Sequence, residues 1–437
     1  MAFTTGWRVA AAAAAAALTV GCGGGDGGGG TRAPSGSCDV ATQNGWLRSY
    51  MEDWYYWSGT SPNPDPVGFA SVQSYFDALR YSGDHWSYTT STASYNQFFS
   101  EGETLGYGIF VNGIELTLPL KVRYVEPLSP AAAAGLKRGD VIVSLNGRSA
   151  ADIVAAADFG GLNPSAAGDV VQVEVAQAGG GTQVVPVTAA TYTLKPVSVA
   201  KVLTLPNGAK AGYLVLKDFI TQAEAPLADA FQQFRSAGAT ELIIDLRYNG
   251  GGRISTSNAL ASLVAGAAHG GGLFAELRYN ARHAASNYPF TLSAAPGPAF
   301  PRVVVLTGAR TCSASELVVN GLKPFADVVT IGGATCGKPF GFNPTASCGT
   351  TFSAVNFESF NARGEGRYYN GIATTCAIGE DFSGELGDPA EKLTAAAATV
   401  IQTGACPSGS GRVSPLSVRR RGPVPVEPGD RQGMFAD

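Results

Sequence analysis

Between Thr191 and Thr403 the sequence alternates short apolar runs with segments of helical periodicity, and this alternation constrains the fold more than any other feature. Apolar residues spaced three and four apart indicate helices, whereas short β-branched runs indicate strands. The strands are predicted at Ala211–Val215, Glu241–Asp245, Arg302–Leu306 and Val328–Ile331. The helices are predicted at about Glu224–Ser236, Ser257–Ala267, Ala314–Leu322 and Glu391–Ile401. Such alternation favours an α/β core whose active site lies beyond the carboxyl ends of the strands.

Two residues on adjacent loops of this core are candidates for catalysis, Ser313 and Lys338. Ser313 lies between the strand that ends at Leu306 and the helix that begins at Ala314, and Lys338 follows the next strand. A serine becomes a nucleophile when a base removes its proton, and a lysine can be that base if burial lowers its pKa. The free N–H groups at the helix start, beginning with Ala314, can form half of an oxyanion hole.

The same residues also admit a structural interpretation. Ser313 followed by Glu316 ahead of an apolar run is a capping box, in which both side chains satisfy helix N–H groups. Lys338, taken alone, is typical of a solvated loop lysine. The chain has three histidines, His85, His269 and His283. None lies near a serine in a nucleophile elbow, so a Ser-His-Asp triad is disfavoured.

The string Thr311-Cys312-Ser313-Ala314-Ser315-Glu316, followed by Gly337-Lys338, resembles the active site of the C-terminal processing (tail-specific) peptidases. These are Ser-Lys endopeptidases with a crotonase-like core. Further matches lie at Gly212 to Phe219 and at Leu242 to Gly252, and the resemblance covers roughly Cys38 to Thr403. It implies that Ser313 is the nucleophile, Lys338 the general base, and Glu316 a supporting residue that hydrogen-bonds near the lysine.

The resemblance also implies an oxyanion hole formed by the N–H of Ala314 and one N–H of the glycine turn at 250–252, for which Gly251 is preferred. Two positions depart from the family pattern. The family often has a glutamine four residues after the lysine, where this chain has Phe342, and an aromatic residue before Gly-Lys is replaced by Cys336. A catalytically inactive homologue that serves as a PDZ peptide-binding adaptor is therefore the alternative to an active peptidase.

Residues 101–190 are predicted to form a β-rich domain that resembles a PDZ domain. Its pieces occur in order as Gly106-Tyr107-Gly108-Ile109, Val122–Val125, the stretch 129–136, the stretch 139–147, and strands Val170–Ala176 and Thr182–Val187. A PDZ domain adds a peptide as an extra strand and holds its C-terminal carboxylate on the N–H groups of a glycine-containing loop. Here Gly106, Tyr107, Gly108 and Ile109 would form that peptide-binding loop. A generic β-rich domain is the alternative.

The N-terminal part of the chain divides into three predicted segments. Residues 1–21 resemble a signal peptide, because an apolar run too short to span a membrane follows Arg8. Small residues before Cys22 resemble a bacterial lipoprotein cleavage site, so we predict lipidation of Cys22, with ordinary signal cleavage as the alternative. The glycine-rich segment 22–37 indicates a flexible tether. Aromatic residues at helical spacing, such as Trp46, Tyr50 and Trp54, predict a small helical domain over 38–100 with an aromatic core.

Six cysteines remain after Cys22, and an even number in an exported chain fits disulfides. The predicted pairs are Cys336 with Cys348, Cys38 with Cys406, and Cys312 with Cys376. The chain has no CxxC, HExxH or GxxxxGK[ST] motif, so no metal, nucleotide or other cofactor is expected. A net charge of −4 gives no reason to expect a nucleic-acid partner. The tail, 406–437, is rich in Gly, Ser and Pro and is predicted to be disordered.

Together these features predict a multi-domain α+β protein with a small N-terminal helical domain, a PDZ domain, and a crotonase-like α/β peptidase core over 191–405. The predicted function is cleavage of unfolded or periplasmic polypeptides near their C-termini, through an acyl-enzyme, with the PDZ domain capturing the C-terminus. The enzyme is predicted to be exported and lipid-anchored on the periplasmic side of a membrane, and Gly23 after the lipid cysteine favours the outer membrane. A hydrolase of non-peptide amides or esters is a further alternative.

Overall fold

The computed structural model describes residues 37–177, 180–411 and 433–436. The helices are α1 (Val40–Trp54), α2 (Val72–Leu79), α3 (Thr92–Asn96), α4 (Pro130–Ala133), α5 (Ala150–Ala156), α6 (Glu224–Ser236), α7 (Ile254–Ala265), α8 (Ala314–Leu322) and α9 (Lys392–Thr403). The strands before the core are β1 (Tyr88–Ser91), β2 (Glu103–Gly106), β3 (Ile109–Val111), β4 (Val122–Val125), β5 (Ile142–Leu145), β6 (Arg148–Ser149), β7 (Val170–Ala176), β8 (Thr182–Thr188) and β9 (Ala190–Thr193).

The remaining strands are β10 (Val197–Thr204), β11 (Lys210–Leu216), β12 (Glu241–Asp245), β13 (Gly251–Arg253), β14 (Leu273–Tyr279), β15 (Tyr288–Thr291), β16 (Arg302–Thr307), β17 (Asp327–Gly332), β18 (Phe340–Phe342), β19 (Thr345–Ser347), β20 (Thr350–Ser353), β21 (Val355–Phe360), β22 (Cys376–Ala377) and β23 (Gly433–Phe435). These bounds confirm each predicted strand and helix of the core to within three residues. Helix α7 begins three residues earlier than predicted, at Ile254, whose carbonyl accepts a hydrogen bond from Ser257 Oγ at 2.8 Å.

The core is built on a six-stranded sheet in the order β10-β11-β12-β16-β17-β22. Strand β10 is antiparallel to β11, and the others are parallel to their neighbours. Side chains alternate between its faces, so that Ile244 packs with helices α6, α7 and α8, whereas Ile243 packs with α9. The predicted α/β arrangement is therefore confirmed, and Ser313 follows the carboxyl end of β16.

A second sheet, in the order β13-β23-β18-β21-β14-β15, shares this core. Its residues Phe274 and Phe357 pack in the same apolar cluster as Leu317 and Val318 of α8. The buried helix α8 therefore lies between side chains of both sheets, which fixes the position of its first residue and of Ser313 before it.

Strands β2 to β9 form the β-rich domain, which has its own apolar core. Its main sheet has the strand order β6-β5-β7-β8. Strand β2 pairs with β9, and β3 pairs with β4. Valines of β7 alternate in burial, since Val171 and Val173 are buried while Gln172 between them is exposed. One face of β7 therefore packs in the core of this domain, and the other faces solvent.

The aromatic N-terminal segment packs against the core rather than standing apart from it. Trp46, Tyr50 and Phe76 share a cluster with Phe342 and Phe352. Strand β1 also pairs with β20 of the core. The N-terminal aromatic residues thereby form one wall of the region around β18.

The disulfides of the structure join Cys38 to Cys348, Cys312 to Cys336, and Cys376 to Cys406. All six predicted cysteines are paired, but the three predicted pairs Cys336–Cys348, Cys38–Cys406 and Cys312–Cys376 are wrong. The prediction was made from spacing along the chain, whereas the fold sets which sulfur atoms meet. The Cα atoms of Cys312 and Cys336 lie 5.1 Å apart because β16 and β17 are parallel neighbours and both residues follow these strands.

The predicted signal peptide, the lipidation site Cys22 and most of the tether lie outside the described residues. Among the residues that the structure does describe, no helix is both long and apolar enough to cross a membrane. Most of the tail predicted to be disordered also lies outside them. Residues 433–435 depart from that prediction, because they form β23 between two strands of the second sheet.

Candidate active site

Ser313 occupies a sharp turn between β16 and α8. Its backbone has φ 60° and ψ −115°, a region that residues with a side chain rarely adopt and that is found at functional turns. The residue is fully buried, and within the described residues its Oγ has no hydrogen-bond partner. The same serine stands in capping-box position toward Glu316, three residues on, so its side chain lies at the start of α8.

Glu316 holds the two candidate loops together. Its Oε2 accepts the backbone N–H of Ser313 at 2.9 Å and that of Lys338 at 2.8 Å. Its Oε1 accepts the N–H of Gly337 at 2.8 Å and the hydroxyl of Thr335 at 2.5 Å. Burial raises the pKa of this carboxyl, and the four donors act in the opposite direction. The predicted capping box is present, and its Glu316 carboxylate also connects the serine turn to the lysine loop.

Lys338 is fully buried in an aromatic environment. Its Nζ lies 4.0 Å from the centre of the Phe342 ring and 5.5 Å from that of Trp86. Burial lowers the pKa of Lys338 to about 7, while the charges of Asp84 and Glu316 act to raise it. The interpretation of Lys338 as a solvated loop lysine is therefore wrong. At neutral pH a substantial part of this amine is uncharged and can accept a proton.

The departures from the family pattern have structural counterparts beside the two candidates. Phe342 supplies the ring nearest to the lysine amine. Cys336 forms the disulfide with Cys312, the residue directly before Ser313. Both sulfur atoms and a Glu316 oxygen lie within 4.8 Å of one another. Because the two sulfurs are bonded to each other, neither is a thiolate, the form that binds metals.

The structure engages Gly251, the predicted oxyanion donor, in another hydrogen bond. The N–H of Gly251 donates to Asn249 Oδ1 at 2.8 Å and is therefore already used. Gly252 is the better candidate in the same turn. The N–H of Arg253 donates to the carbonyl of Phe219, and the N–H of Phe219 donates to the carbonyl of Gly251. Because successive residues of a strand direct their backbone groups to opposite sides, the N–H and C=O of Gly252 face away from Phe219. A Cβ on Gly252 would lie 2.1 Å from the Phe219 carbonyl oxygen, so only glycine fits there.

The predicted peptide-binding loop lies at a separate cavity. Gly106, Tyr107, Gly108 and Ile109 line it together with Lys217 and residues of the core. Gly108 has φ 79°, and a Cβ there would lie 2.1 Å from that of Ser129. The structure therefore does not bring these four residues into the Ser313 site, and it places them where two domains meet.

Ion pairs and hydrogen bonds connect the β-rich domain to the core near Ser313. Arg310, which precedes the nucleophile turn, binds both carboxylate oxygens of Glu115 at 2.7 and 3.0 Å. Arg138 donates to the hydroxyl of Tyr248, next to the glycine turn, and to Glu380 Oε1 at 2.6 Å. These contacts fix the β-rich domain against the turn before Ser313 and against the residue next to the glycine turn.

Several residues of this site were missed by sequence reasoning. Trp86 lies far from Lys338 in the chain, and nothing in the local pattern links them. Phe342 was noted only as a departure, although a large apolar residue four positions after a candidate base could have indicated a dry site. Asn249 precedes the glycine turn, and its tendency to bond the backbone two residues on could have excluded Gly251.

An unbonded serine hydroxyl at a strained strand-to-helix turn, bridged to a buried lysine of lowered pKa, has the features of a Ser-Lys hydrolase site. Family comparisons agree with this class. The model of peptidase family S41 matches residues 210–361, that of the S41 N-terminal domain matches residues 42–88, and that of a PDZ domain matches residues 121–160. Parts of the chain are therefore similar to the S41 peptidase domain, to the N-terminal domain of that family and to a PDZ domain.

Known relatives point the same way. A carboxyl-terminal-processing protease of Picosynechococcus is 29% identical over 258 residues, which are 55% of this chain and 55% of that protein. Carboxyl-terminal-processing peptidase 3 of Arabidopsis thaliana is 26% identical over 59% of this chain and 50% of its own. The chain thus spans about half the length of these curated relatives. An S41 protease of Bacteroides fragilis has a TM-score of 0.66 and 25% identity over 86% of this chain and 100% of its own.

Proposed function

We propose that this protein is a serine endopeptidase that uses Ser313 as nucleophile and Lys338 as general base to cleave polypeptides near their C-termini. The proposal depends on one observation: Glu316 Oε2 accepts hydrogen bonds from the backbone N–H groups of both Ser313 and Lys338. That contact holds the serine turn and the lysine loop in one fixed relation. A base must be fixed relative to the hydroxyl that it deprotonates.

Ser313 Oγ attacks the peptide carbonyl as neutral Lys338 Nζ takes its proton. The tetrahedral oxyanion is stabilised by the N–H of Ala314, the first residue of α8, and by that of Gly252. When the intermediate collapses, the lysine ammonium protonates the leaving amine, and the acyl group remains on Ser313 as an ester. Water then attacks the ester with Lys338 again as base, which releases the acid product and restores the serine.

The PDZ domain is proposed to hold the C-terminus of the polypeptide. The loop from Gly106 to Ile109 offers backbone N–H groups for a carboxylate, at a cavity that Glu126, Lys217 and Asp218 also line. We further propose export, with Cys22 lipidated and the enzyme tethered on the periplasmic side of a membrane. Three disulfides support an oxidising compartment.

Cleavage of an unfolded protein such as casein by the purified, oxidised protein tests the proposal. We expect Ser313→Ala and Lys338→Ala to abolish cleavage and Lys195→Ala, at an exposed lysine, to leave it unchanged. Chelator should have no effect on the wild type. An inactive but folded wild type that still binds C-terminal peptides would instead support the PDZ adaptor.

A further inference from the structure

The chain's own C-terminal residues occupy a gap in the sheet at the active site. Strand β23 lies between β13 and β18 and is parallel to both. The pairs on one side are Gly251 with Gly433, Gly252 with Met434 and Arg253 with Phe435, and on the other Phe342 pairs with Phe435. Just after the strand, the N–H of Ala436 donates to the Phe342 carbonyl at 3.2 Å. Four residues of the tail are therefore held by backbone bonding.

Both strands that flank this gap carry parts of the catalytic site. Strand β13 contains Gly252, whose backbone groups face away from Phe219 and therefore toward β23. Strand β18 begins directly after the Lys338-Pro339 pair and ends at Phe342, the residue that contacts the lysine amine. The gap between β13 and β18, which we call the slot, thus has an oxyanion candidate on one edge and the general base beside the other.

The slot accepts an extended chain through backbone groups alone. Strands β13 and β18 do not pair with each other, and β23 is the element that joins them into one sheet. Along β23 and the residue after it, successive residues direct their backbone groups to opposite sides. The N–H of Ala436 bonds to β18, and the N–H of Phe435 therefore faces β13. A polypeptide added in this way needs no particular side chains, which suits an enzyme that acts on unfolded chains.

We propose that residues 433–436 are an autoinhibitory strand that occupies the slot in which polypeptide substrates bind as an extended strand. Occupation of the slot by β23 agrees with the burial of the candidate catalytic residues, because Ser313 and Lys338 are both fully buried in the structure that contains β23. The consequence for catalysis rests on the function proposed above, whereas docking of the tail does not.

Covalent attachment makes a short strand an effective competitor. A tethered segment has an effective concentration on the order of millimolar, which no free peptide reaches in an ordinary assay. If the strand binds with a Kd of about 0.1 mM, an incoming polypeptide would bind about tenfold more weakly than to an empty slot. The expected signature is a raised KM with little change in kcat, because the strand leaves the dyad itself unaltered once displaced.

The test uses the full chain with both tail residues that bond the slot changed to proline, Phe435→Pro and Ala436→Pro. Proline removes the N–H groups that face β13 and β18 and so prevents pairing on either side. The matched control is Phe435→Leu with Ala436→Ser, which keeps both N–H groups. Intact mass spectrometry verifies that residues 433–437 are present in each sample.

Two readouts separate this inference from the proposed function. In cleavage assays we expect the proline variant to have a KM about tenfold lower than the wild type and the control. In the Ser313→Ala background we expect a fluorescent peptide with the sequence of residues 430–437, DRQGMFAD, to bind the proline variant at least tenfold more tightly than the control. Equal peptide binding and equal KM in proline and control variants would overturn the inference. Loss of all cleavage with the binding difference retained would overturn the peptidase instead.

Discussion

Two fully buried cations of this protein, Arg247 and Lys338, lie in opposite electrostatic environments. Arg247 bonds both oxygens of Glu391 at 2.7 and 3.0 Å and also pairs with Asp245 and Glu380. Burial works against its charge, yet the three carboxylates hold the pKa of Arg247 well above its usual value. Hydrogen bonds and charge from Arg247 lower the pKa of Glu391 to about 2, although burial opposes this.

Lys338 has the same burial, and burial lowers its pKa by more than the charges of Asp84 and Glu316 raise it. Aromatic rings lie around its amine, and the pKa falls to about 7. The comparison teaches that burial alone does not decide the role of a cation. A cation surrounded by bonded carboxylates is fixed in its charged form and contributes structure, whereas a cation in a dry aromatic site titrates near neutrality and can move protons.

The largest effect is expected from replacing the titrating cation. Lys338→Ala should lower kcat/KM at least about a thousandfold, because the serine then has no base. Lys338→Arg should not rescue activity, since a guanidinium remains charged and accepts no proton. Steady-state kinetics measures both, and thermal unfolding checks that the variants fold. Activity of the Lys338→Arg variant within tenfold of the wild type would contradict a base at this position.

Replacing the fixed cation should instead affect stability. Arg247→Met leaves Asp245, Glu380 and Glu391 without their common partner, and we expect a loss of about 3–5 kcal/mol in the free energy of unfolding. Urea unfolding measures it. The control is Arg48→Met, which breaks an exposed pair with Glu52 and should cost less than about 1 kcal/mol. Equal losses in the two variants would show that the buried cluster is not structural.

The disulfide between Cys312 and Cys336 joins the serine turn to the lysine loop, and it can be removed without changing Ser313 or Lys338. Cys312→Ser with Cys336→Ser should lower kcat about 10- to 100-fold, because small displacements of a base from its nucleophile are costly. The matched pair, Cys38→Ser with Cys348→Ser, removes a disulfide that joins the start of α1 to the turn before β20 and should leave kcat within about twofold. If both pairs lose activity equally, the effect is a general loss of stability.

The smallest effect is expected from Phe342→Gln, which introduces the family's usual residue. A polar amide beside the amine relieves part of its desolvation, so the pKa of Lys338 should rise by about one unit. The base is active when deprotonated, so the midpoint of the pH profile of kcat/KM should move to higher pH, with rates lowered most near pH 7. Phe340→Leu, two residues away on β18, serves as control. A midpoint shifted to lower pH would mean that the ring mainly stabilises the ammonium.

The sequence predicted those parts of the site that depend on local pattern. Ser313 and the helix bounds of α8 follow from a strand, a small-residue turn and an apolar-periodic segment. The place of Lys338 after the next strand makes it a candidate, and the resemblance implies its role as general base. The sequence does not predict the aromatic residues around its amine, because Trp86 reaches the lysine only through packing of the N-terminal segment against β18.

Three further features depend on tertiary contacts that spacing does not encode. The disulfide partners depend on which strand ends are neighbours, so Cys312 meets Cys336 after parallel strands. The availability of an N–H in the glycine turn depends on the Asn249 side chain. The strand at 433–435 forms because two edges of a sheet need a partner, whereas its own composition indicates no structure.

The most direct test of the account is the pH dependence of the reaction of Ser313 with a fluorophosphonate probe, which reports nucleophile activation without a polypeptide substrate. Below the pKa of Lys338 the amine is protonated and cannot accept the serine proton, so the rate should rise with pH, reach half its maximum near pH 7 and then level off. Lys338→Ala should abolish the rise. A rate that still climbs toward pH 10, or one that Lys338→Ala leaves unchanged, would contradict the proposed Ser313–Lys338 dyad.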